Sequence, residues 1–245
     1  MADALGFRHA IGVITPSGNL VVERVVTALL RDLPEVSAHF SRIPVAGSHD
    51  PFPDRYDLAA MLTAARLLAD AKPGSIQWNG SKGGAIGFAQ DRALKARIED
   101  ATGIPATTSS LALVEALGRL GARRLALVTP YAEAYQRRVM ATLAAEGFEC
   151  VAESHLGLTD NLGYAGVAPA RIAGQVRQAL AAARPEAVLC WCTNYAGALV
   201  AAALEAELGL PVLDATLLPV WGALRMMGAD TAPAAPRWGR IFALA

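Results

Sequence analysis

The chain has 245 residues, of which 53% are hydrophobic and 18% charged, and its formal net charge is zero at pH 7. This length allows one α/β domain or two smaller ones with a substantial core. A neutral chain without a basic run lacks the electrostatic footprint of a nucleic-acid-binding protein, so no nucleic-acid partner is expected. Three cysteines cannot complete a disulfide framework, which favours a reduced, cytoplasmic protein.

Two segments of the chain could act as targeting or membrane signals. The first nine residues lack the charged-then-apolar order of a secretory signal. Residues 187–204 are uncharged and nearly long enough to cross a bilayer, but Thr193, Asn194 and Tyr195 interrupt them, and their pattern changes from strand-like to helix-like. No membrane association is therefore expected.

The first half of the chain alternates strand-like and helix-like segments. A strand is predicted at residues 10–14, before Thr15-Pro-Ser-Gly-Asn19, and apolar spacing predicts a helix at 20–31. A strand at 36–42 and a loop at 44–53, which carries His49, come next. The remaining predicted elements are a helix at 56–71, a strand at 75–78, the loop Asn79-Gly-Ser-Lys-Gly-Gly84, a helix at 91–102, a strand end at 108–109 and a helix at 111–120.

The second half repeats the first. Leu125-Ala-Leu-Val-Thr-Pro130 echoes Ile11-Gly-Val-Ile-Thr-Pro16, and Trp191-Cys-Thr193 stands where Asn79-Gly-Ser81 stood. Alternating strands and helices imply parallel sheets with helices on both faces. The prediction is an α/β protein with two pseudo-symmetric, Rossmann-like (flavodoxin-like) lobes and an active site in the cleft between them. The predicted lobes are residues 1–117 and 118–219, with residues 220–245 packing back on the first.

Cys192 is the most informative single residue. It follows a compact apolar run, 187–191, and precedes a helix predicted to start at Tyr195, so it would lie at the carboxyl end of a buried parallel strand, where open α/β sheets bind ligands. The dipole of the following helix would favour a thiolate there. The alternative is a buried structural cysteine, since free cysteines are often buried. Cys190, deeper in the same strand, is interpreted as a core residue.

Twofold symmetry would bring equivalent strand ends together across the cleft. Residues 80–81 would face 192–193, and 16–19 would face 130–131. The cleft would then combine one thiol with hydroxyls, an amide and backbone N–H groups that bind carboxylates. A thiol beside a carboxylate pocket suits proton transfer to or from a carbon acid. The loop 79–84 lacks the spacing of a P-loop, and neither a metal site nor a cofactor is expected.

Short motifs from Ile11 to Phe242 carry a family resemblance. They are Ile14-Thr-Pro-Ser-Gly-Asn19, Trp78-Asn-Gly-Ser81, Thr102-Gly-Ile-Pro-Ala-Thr-Thr-Ser109, Val128-Thr-Pro-Tyr131, Asp160-Asn161, Cys192-Thr-Asn194, Trp221-Gly-Ala-Leu-Arg225 and Gly239-Arg-Ile-Phe242. In their order and spacing the chain resembles the aspartate/glutamate racemase superfamily, and more closely its arylmalonate decarboxylase and maleate cis-trans isomerase branch.

The resemblance implies roles for several residues. Racemases and maleate isomerases of this superfamily use two cysteines, one from each lobe, but the first position here looks like Gly80. Only Cys192 remains, which resembles the pattern of arylmalonate decarboxylase. By this resemblance Cys192 protonates an enediolate, while Ser81, Tyr131 and the backbone N–H groups of Cys192 and Thr193 form a dioxyanion pocket. The same resemblance implies that Pro16, with the adjoining Ser17, lines the site.

Three residues depart from the decarboxylase pattern. Lys82 stands where the decarboxylase carries a small hydroxyl residue, so the pocket would bind a more anionic substrate unless Lys82 faces solvent. Asn19 and Asn161 match the asparagines with which maleate isomerase holds its substrate carboxylates. The alternative for both is ordinary turn chemistry, because asparagine favours loops.

The favoured function is a cofactor-independent decarboxylase of a malonate-like (arylmalonate-type) dicarboxylic acid. Loss of the first-lobe cysteine removes the second base of a racemase and a residue that maleate isomerase uses. One alternative is a maleate isomerase- or racemase-like isomerase of a small dicarboxylate or amino acid. Another is a non-catalytic carboxylate-binding or sensor protein, which would tolerate Cys192→Ser. The choice of dicarboxylate and assembly into a homo-oligomer stay open.

Overall fold

Two four-stranded parallel sheets organise the chain in the computed structural model, which describes residues 4–45, 55–181 and 183–244. The first contains β1 (His9–Pro16), β2 (Val36–Ile43), β3 (Ser75–Trp78) and β4 (Ala106–Thr108), in the order β2-β1-β3-β4. The second contains β5 (Arg124–Tyr131), β6 (Glu149–Leu158), β7 (Ala187–Cys190) and β8 (Val212–Asp214), in the order β6-β5-β7-β8. The repeated order confirms the predicted pair of α/β lobes, each a sheet with its flanking helices.

The helices alternate with the strands along the chain. They are α1 (Val22–Leu29), α2 (Leu58–Ala69), α3 (Gly83–Ile86), α4 (Phe88–Thr102), α5 (Ser109–Leu120), α6 (Glu133–Ala145), α7 (Asn161–Ala165), α8 (Pro169–Leu180), α9 (Ala201–Leu208), α10 (Leu217–Met226) and α11 (Ala235–Trp238). Short 3-10 segments lie at 30–32, 197–199, 232–234 and 240–243.

Local sequence explains where the helices form and end. In α1 the buried residues are Val22, Val25, Val26 and Leu29, a spacing that places all four on one face of a helix. Helix α5 starts where the Thr108 hydroxyl accepts the Leu111 N–H at 3.2 Å, which satisfies one of the free backbone donors of the first turn. This start after β4 aims α5 back along the sheet and leaves the strand ends free for the cleft.

The C-terminal part of the chain contacts both lobes. Helix α10 packs against α5, β3 and β4 of the first lobe. Beyond it, the Trp238 indole N–H donates to Asp32 of the first lobe at 2.7 Å, whereas the Arg240 backbone N–H donates to Glu205 of α9 in the second lobe, also at 2.7 Å. The tail therefore joins the lobes, and the exact lobe boundaries stay a prediction.

The prediction that a helix starts at Tyr195 is wrong. Residues 191–196 form a loop, a 3-10 segment follows, and α9 starts only at Ala201. The Tyr195 side chain is buried and donates to Gln175 at 2.6 Å, which holds the loop against α8. Gly197 passes so close to the sheet that a Cβ there would lie 2.7 Å from the Cys190 Cβ. These tertiary contacts override the helical pattern of the segment.

Two further predictions concern the long uncharged stretch at 187–204 and the loop that carries His49. Among the described residues, no helix combines the length and apolar composition needed to cross a membrane. Strand β7 ends at Cys190 and a loop follows it, so the long uncharged stretch is divided, although its pattern predicted a helix soon after the strand. His49 and most of its loop lie outside the described residues.

Candidate active site

A cavity of about 50 Å³ lies between the lobes, where the ends of β1, β3, β5 and β7 meet. Nine of the ten residues predicted for the site line it, and Ser17 is the exception. The lining residues are Pro16, Asn19, Val45, Trp78, Gly80, Ser81, Lys82, Tyr131, Tyr135, Asn161, Tyr164, Cys192, Thr193 and Asn194. The strand ends therefore come together as the twofold repeat predicts.

Cys192 lies two residues beyond the end of β7 and is only 3% exposed. The hydroxyls of Tyr131 and Ser81 and the backbone N–H of Asn194 lie near its sulfur and favour the thiolate. Burial outweighs these donors and raises the pKa of the thiol to about 12. The expectation of a dipole-stabilised thiolate is wrong, because no helix begins beside the residue. At neutral pH Cys192 is a protonated thiol that can act as an acid.

Ser81 and Tyr131 bring hydroxyl groups from opposite lobes to the same point. Their oxygens are 2.9 Å apart, with the Tyr131 phenol held at the end of β5. Burial, with a smaller contribution from the nearby Cys192, raises the pKa of Tyr131 well above its usual value, so the phenol stays a neutral donor. The two hydroxyls and the thiol thus form a compact set of proton-bearing groups.

The glycine-rich turn after β3 is shaped by contact with the second lobe. The Trp191 indole N–H donates to the Ser81 carbonyl at 3.1 Å. A Cβ on Gly84 would lie 2.1 Å from that same indole nitrogen, so only glycine allows this approach. Trp191, the neighbour of Cys192, therefore fixes the backbone that carries the Ser81 hydroxyl.

Three asparagines line one side of the cavity with different hydrogen bonds. The Asn19 side-chain oxygen accepts the N–H groups of Val21 and Val22 at 2.8 Å, and its amide nitrogen donates to the Thr193 hydroxyl at 3.3 Å. The Asn194 amide donates to the Asn161 carbonyl at 2.6 Å. The Asn161 amide nitrogen is buried without a hydrogen-bond partner among the described residues. It is thus a donor available to a bound carboxylate.

Lys82 and Ser17 differ from the simplest expectation. The Lys82 ammonium donates to the Arg55 carbonyl at 2.6 Å and lies 5.9 Å from the Tyr56 ring centroid, while the residue still lines the cavity. Ser17 is exposed, and its hydroxyl donates to the Val45 carbonyl at 3.2 Å and accepts the Val45 N–H at 3.0 Å. The structure does not place Ser17 in the cavity, because this pairing turns it towards the loop after β2.

Five lining residues were missed as substrate contacts in the sequence: Val45, Trp78, Tyr135, Tyr164 and Asn194. The Tyr135 and Tyr164 rings surround Tyr131, with centroid distances of 4.4 and 5.4 Å. Helical spacing could have indicated Tyr164, since it lies three residues after Asn161 in α7. Tyr135 lies in the helix that follows Tyr131, and no spacing rule links the two. The cavity is therefore more aromatic than the motifs alone indicated.

Two buried aspartates, Asp91 and Asp214, and the Cys190 thiol lie outside the cavity lining. Burial raises the pKa values of Asp91 and Asp214 to about 7. Cys190 is fully buried in β7, and burial raises the pKa of its thiol, as suits the predicted core residue. Within the described ranges no cluster of three or more histidine, cysteine, aspartate or glutamate residues could hold a metal ion.

Comparison with known proteins identifies the family of the chain. The protein-family profile described as arylmalonate decarboxylase matches residues 62–242, about three quarters of the chain. The chain belongs to the arylmalonate decarboxylase family. This confirms the resemblance carried by the sequence motifs.

Individual relatives include enzymes of two reaction types. The chain is 30% identical over 236 residues to an arylmalonate decarboxylase of Bordetella bronchiseptica, with 95% of each chain covered. It is 30% identical over 253 residues to a maleate isomerase of Nocardia farcinica, with 97% of this chain and 96% of the relative covered. The solved structure of a Nocardia farcinica maleate cis-trans isomerase bound to TRIS superposes with a TM-score of 0.85 at 28% identity, covering 96% of this chain and 97% of that one. Membership of the arylmalonate decarboxylase family is thus compatible with decarboxylation or isomerisation.

Proposed function

We propose that this protein is a cofactor-independent decarboxylase of a malonate-like dicarboxylic acid, with Cys192 as the proton donor. The observation that carries the proposal is the composition of the two facing strand ends. Among the described residues that line the cavity, Cys192 is the one cysteine, and its first-lobe counterpart is Gly80. One thiol suffices to deliver a proton to one face of a carbanion, whereas two-sided proton transfer needs a second group.

The hydrogen-bond donors around the thiol stabilise the negative charge that develops on the substrate. Decarboxylation of a malonate leaves negative charge on the two oxygens of the retained carboxyl group. The hydroxyls of Ser81 and Tyr131, 2.9 Å apart, are positioned to donate to these oxygens. The unpartnered Asn161 amide supplies a further donor for a carboxylate. Donors already held in place by the fold need little reorganisation as the charge develops.

The reaction then has two chemical steps. First, the bond between the central carbon and one carboxylate breaks, carbon dioxide leaves, and the electron pair forms an enediolate with the retained carboxylate. Second, the Cys192 S–H transfers its proton to the central carbon, and the thiolate regains a proton from solvent. Because burial raises the pKa of the thiol to about 12, it is protonated at neutral pH, and its thiolate is strongly basic.

The test is release of carbon dioxide from a panel of substituted malonates, comparing wild type with Cys192→Ala. Running the reaction in deuterated water shows which face of the product carbon receives the proton. Turnover that disappears in the variant, with label on a single face, is the expected result. Failure of the wild type to release carbon dioxide from any malonate overturns the proposal.

A second candidate is isomerisation of a short unsaturated dicarboxylate. Its supporting observation is that Asn19, Asn161 and Tyr131 all line the cavity. The same enzyme preparation incubated with maleate, followed by NMR detection of fumarate, decides between the candidates. Ligand binding that persists in Cys192→Ser, with no turnover of malonates, maleate or amino acids, would indicate a carboxylate-binding protein instead.

A further inference from the structure

The indole of Trp78 fills the space beside Gly80. A Cβ built on Gly80 would lie 2.2 Å from Cζ2, 2.3 Å from Cε2 and 2.8 Å from Cη2 of Trp78. No side chain fits at these separations unless the indole moves. Position 80 is therefore closed to a side chain by its neighbour two residues earlier.

The indole cannot move away freely. Trp78 is 2% exposed and belongs to the core between the first sheet and α2. The Tyr56 ring packs edge-to-face against it, with centroids 6.0 Å apart and planes at 81°. The Tyr56 hydroxyl in turn donates to the buried Asp91 carboxyl at 3.1 Å. The Trp78 indole is thus held in place by Tyr56 and the surrounding core, and it forms a rigid wall of the cavity.

This wall belongs to the lobe opposite Cys192. Gly80 lies two residues beyond the end of β3, as Cys192 lies two residues beyond the end of β7, and the two strands hold the same place in their sheets. Trp78 and Cys192 line the same cavity. The first lobe therefore presents an aromatic surface at the position from which the second lobe presents its thiol.

We propose that Trp78 is the specificity-determining residue of the site. It excludes any proton-transferring side chain from the first-lobe position, and it restricts the reacting carbon to compact substituents rather than an aryl ring. The inference rests on the proposed function and narrows its substrate class to malonates with small alkyl groups. The cavity volume of about 50 Å³ agrees with a small substrate. A single buried water already needs roughly 10–15 Å³ on the same scale.

The first experiment measures the steric conflict without using activity. Urea unfolding is followed for Gly80→Ala, Trp78→Leu and the double variant. Gly118→Ala is the control, because a Cβ on that helical glycine would meet no described atom within 4 Å other than its chain neighbours and the backbone of its own helix. Gly80→Ala should lower the unfolding midpoint strongly. The double variant should lose much less in midpoint than the two single variants lose together, because removing the indole relieves the steric conflict. Additive losses would overturn the inference.

The second experiment measures selectivity. For wild type and Trp78→Leu, kcat/KM is compared between methylmalonate and phenylmalonate, and the ratio should shift towards the aryl substrate by roughly tenfold or more. A purely structural Trp78 would lower both values equally and leave the ratio unchanged. That result would overturn the inference.

A third variant tests the exclusion of a second proton donor. Trp78→Leu/Gly80→Cys is given ethyl(methyl)malonate, whose product is chiral. Wild type should yield mainly one enantiomer, and the double variant a clearly more racemic product. If the double variant kept the wild-type enantiomer ratio, the idea that Trp78 excludes a second proton donor from position 80 would be overturned.

The outcomes separate this inference from the proposed function. If no malonate is turned over, the proposed function fails, while calorimetric affinities of Trp78→Leu and wild type for methylmalonate and phenylmalonate still measure the size restriction. An unchanged affinity ratio, or no binding of either ligand, would then overturn the role of Trp78.

Discussion

The segments after β3 and β7 hold the same place in the two lobes but differ in chemistry. After β3, Gly80 and Ser81 lead directly into the short helix α3, and the Trp78 indole closes the space beside the glycine. After β7, Cys192 and Thr193 enter a loop before α9 begins. One strand end thus supplies shape and a hydroxyl group, and the other supplies the thiol.

The difference shows how a duplicated fold can carry an asymmetric site. The backbone frame is retained, since both sheets have the same strand order and the chain passes into the cleft at equivalent places. The side chains at those places have diverged. Function therefore follows from the identity of a few residues at the strand ends and not from the fold itself.

Removal of the Cys192 thiol tests the chemical difference between the two strand ends most directly. Cys192→Ala should lower kcat for malonate decarboxylation by about 10³-fold or more, because the proposed proton donor to the central carbon is lost. Cys190→Ala is the matched control, since that thiol is buried at the end of β7, two residues before Cys192, but does not line the cavity. It should retain wild-type kcat while losing some stability. Equal losses of kcat in the two variants would refute the assigned role of Cys192.

Much of the fold could be predicted because the repeat is visible in the residues. The Leu125–Pro130 stretch matches Ile11–Pro16, and the buried strand at 75–78 has the predicted bounds. The segment after Cys192 could not be predicted from local pattern. Its conformation depends on the Tyr195–Gln175 hydrogen bond and on the close approach of Gly197 to β7, contacts between distant parts of the chain.

Site residues at the ends of the strands could be predicted from the sequence. Site residues whose side chains enter the cavity through tertiary packing could not. Ser81, Tyr131 and Cys192 follow directly from the equivalent ends of the sheets. Tyr164 reaches the cavity from α7, and the direction of the Trp78 ring depends on core packing. The protonation of Cys192 was mispredicted because burial, a tertiary property, outweighs the local donors.

The second prediction compares one buried carboxyl group in each lobe. Burial raises the pKa values of Asp91 and Asp214 to about 7. A raised pKa contributes stability that is fully present below the unfolded-state value near 4 and is lost as pH rises through about 7. Unfolding free energy should therefore fall between pH 4 and pH 8, by an amount on the order of 3 kcal/mol for each group.

Urea unfolding of Asp91→Asn and Asp214→Asn from pH 4 to pH 8 checks this. Each variant should show a shallower fall than wild type. The two variants should flatten it to a similar extent, because burial raises both pKa values to about 7. Asp100→Asn, at an exposed position of the same helix as Asp91, controls for the loss of a charge. An unchanged slope in both buried variants would contradict the prediction.

The third prediction concerns the hydroxyl pair that bridges the lobes. Tyr131→Phe should lower kcat by roughly 10- to 100-fold, because one donor to the developing enediolate is lost. Ser81→Ala should act similarly, and the double variant should lose less than the product of the two single effects, since the hydroxyls contact each other. Tyr195→Phe is the control, because its buried hydroxyl bonds to Gln175 away from the reacting groups. Multiplicative losses would show that the two hydroxyls act independently.

The smallest effect distinguishes two asparagines on the same side of the cavity. Asn161→Ala should raise KM by about tenfold with little change in stability, because its buried, unpartnered amide nitrogen is free to donate to a substrate carboxylate. Asn19→Ala should instead lower the unfolding free energy by about 1 kcal/mol, because the N–H groups of Val21 and Val22 lose their acceptor. Steady-state kinetics and urea unfolding of both variants measure the difference. The reverse result, with KM raised by Asn19→Ala and stability lowered by Asn161→Ala, would move the carboxylate contact from the second lobe to the first.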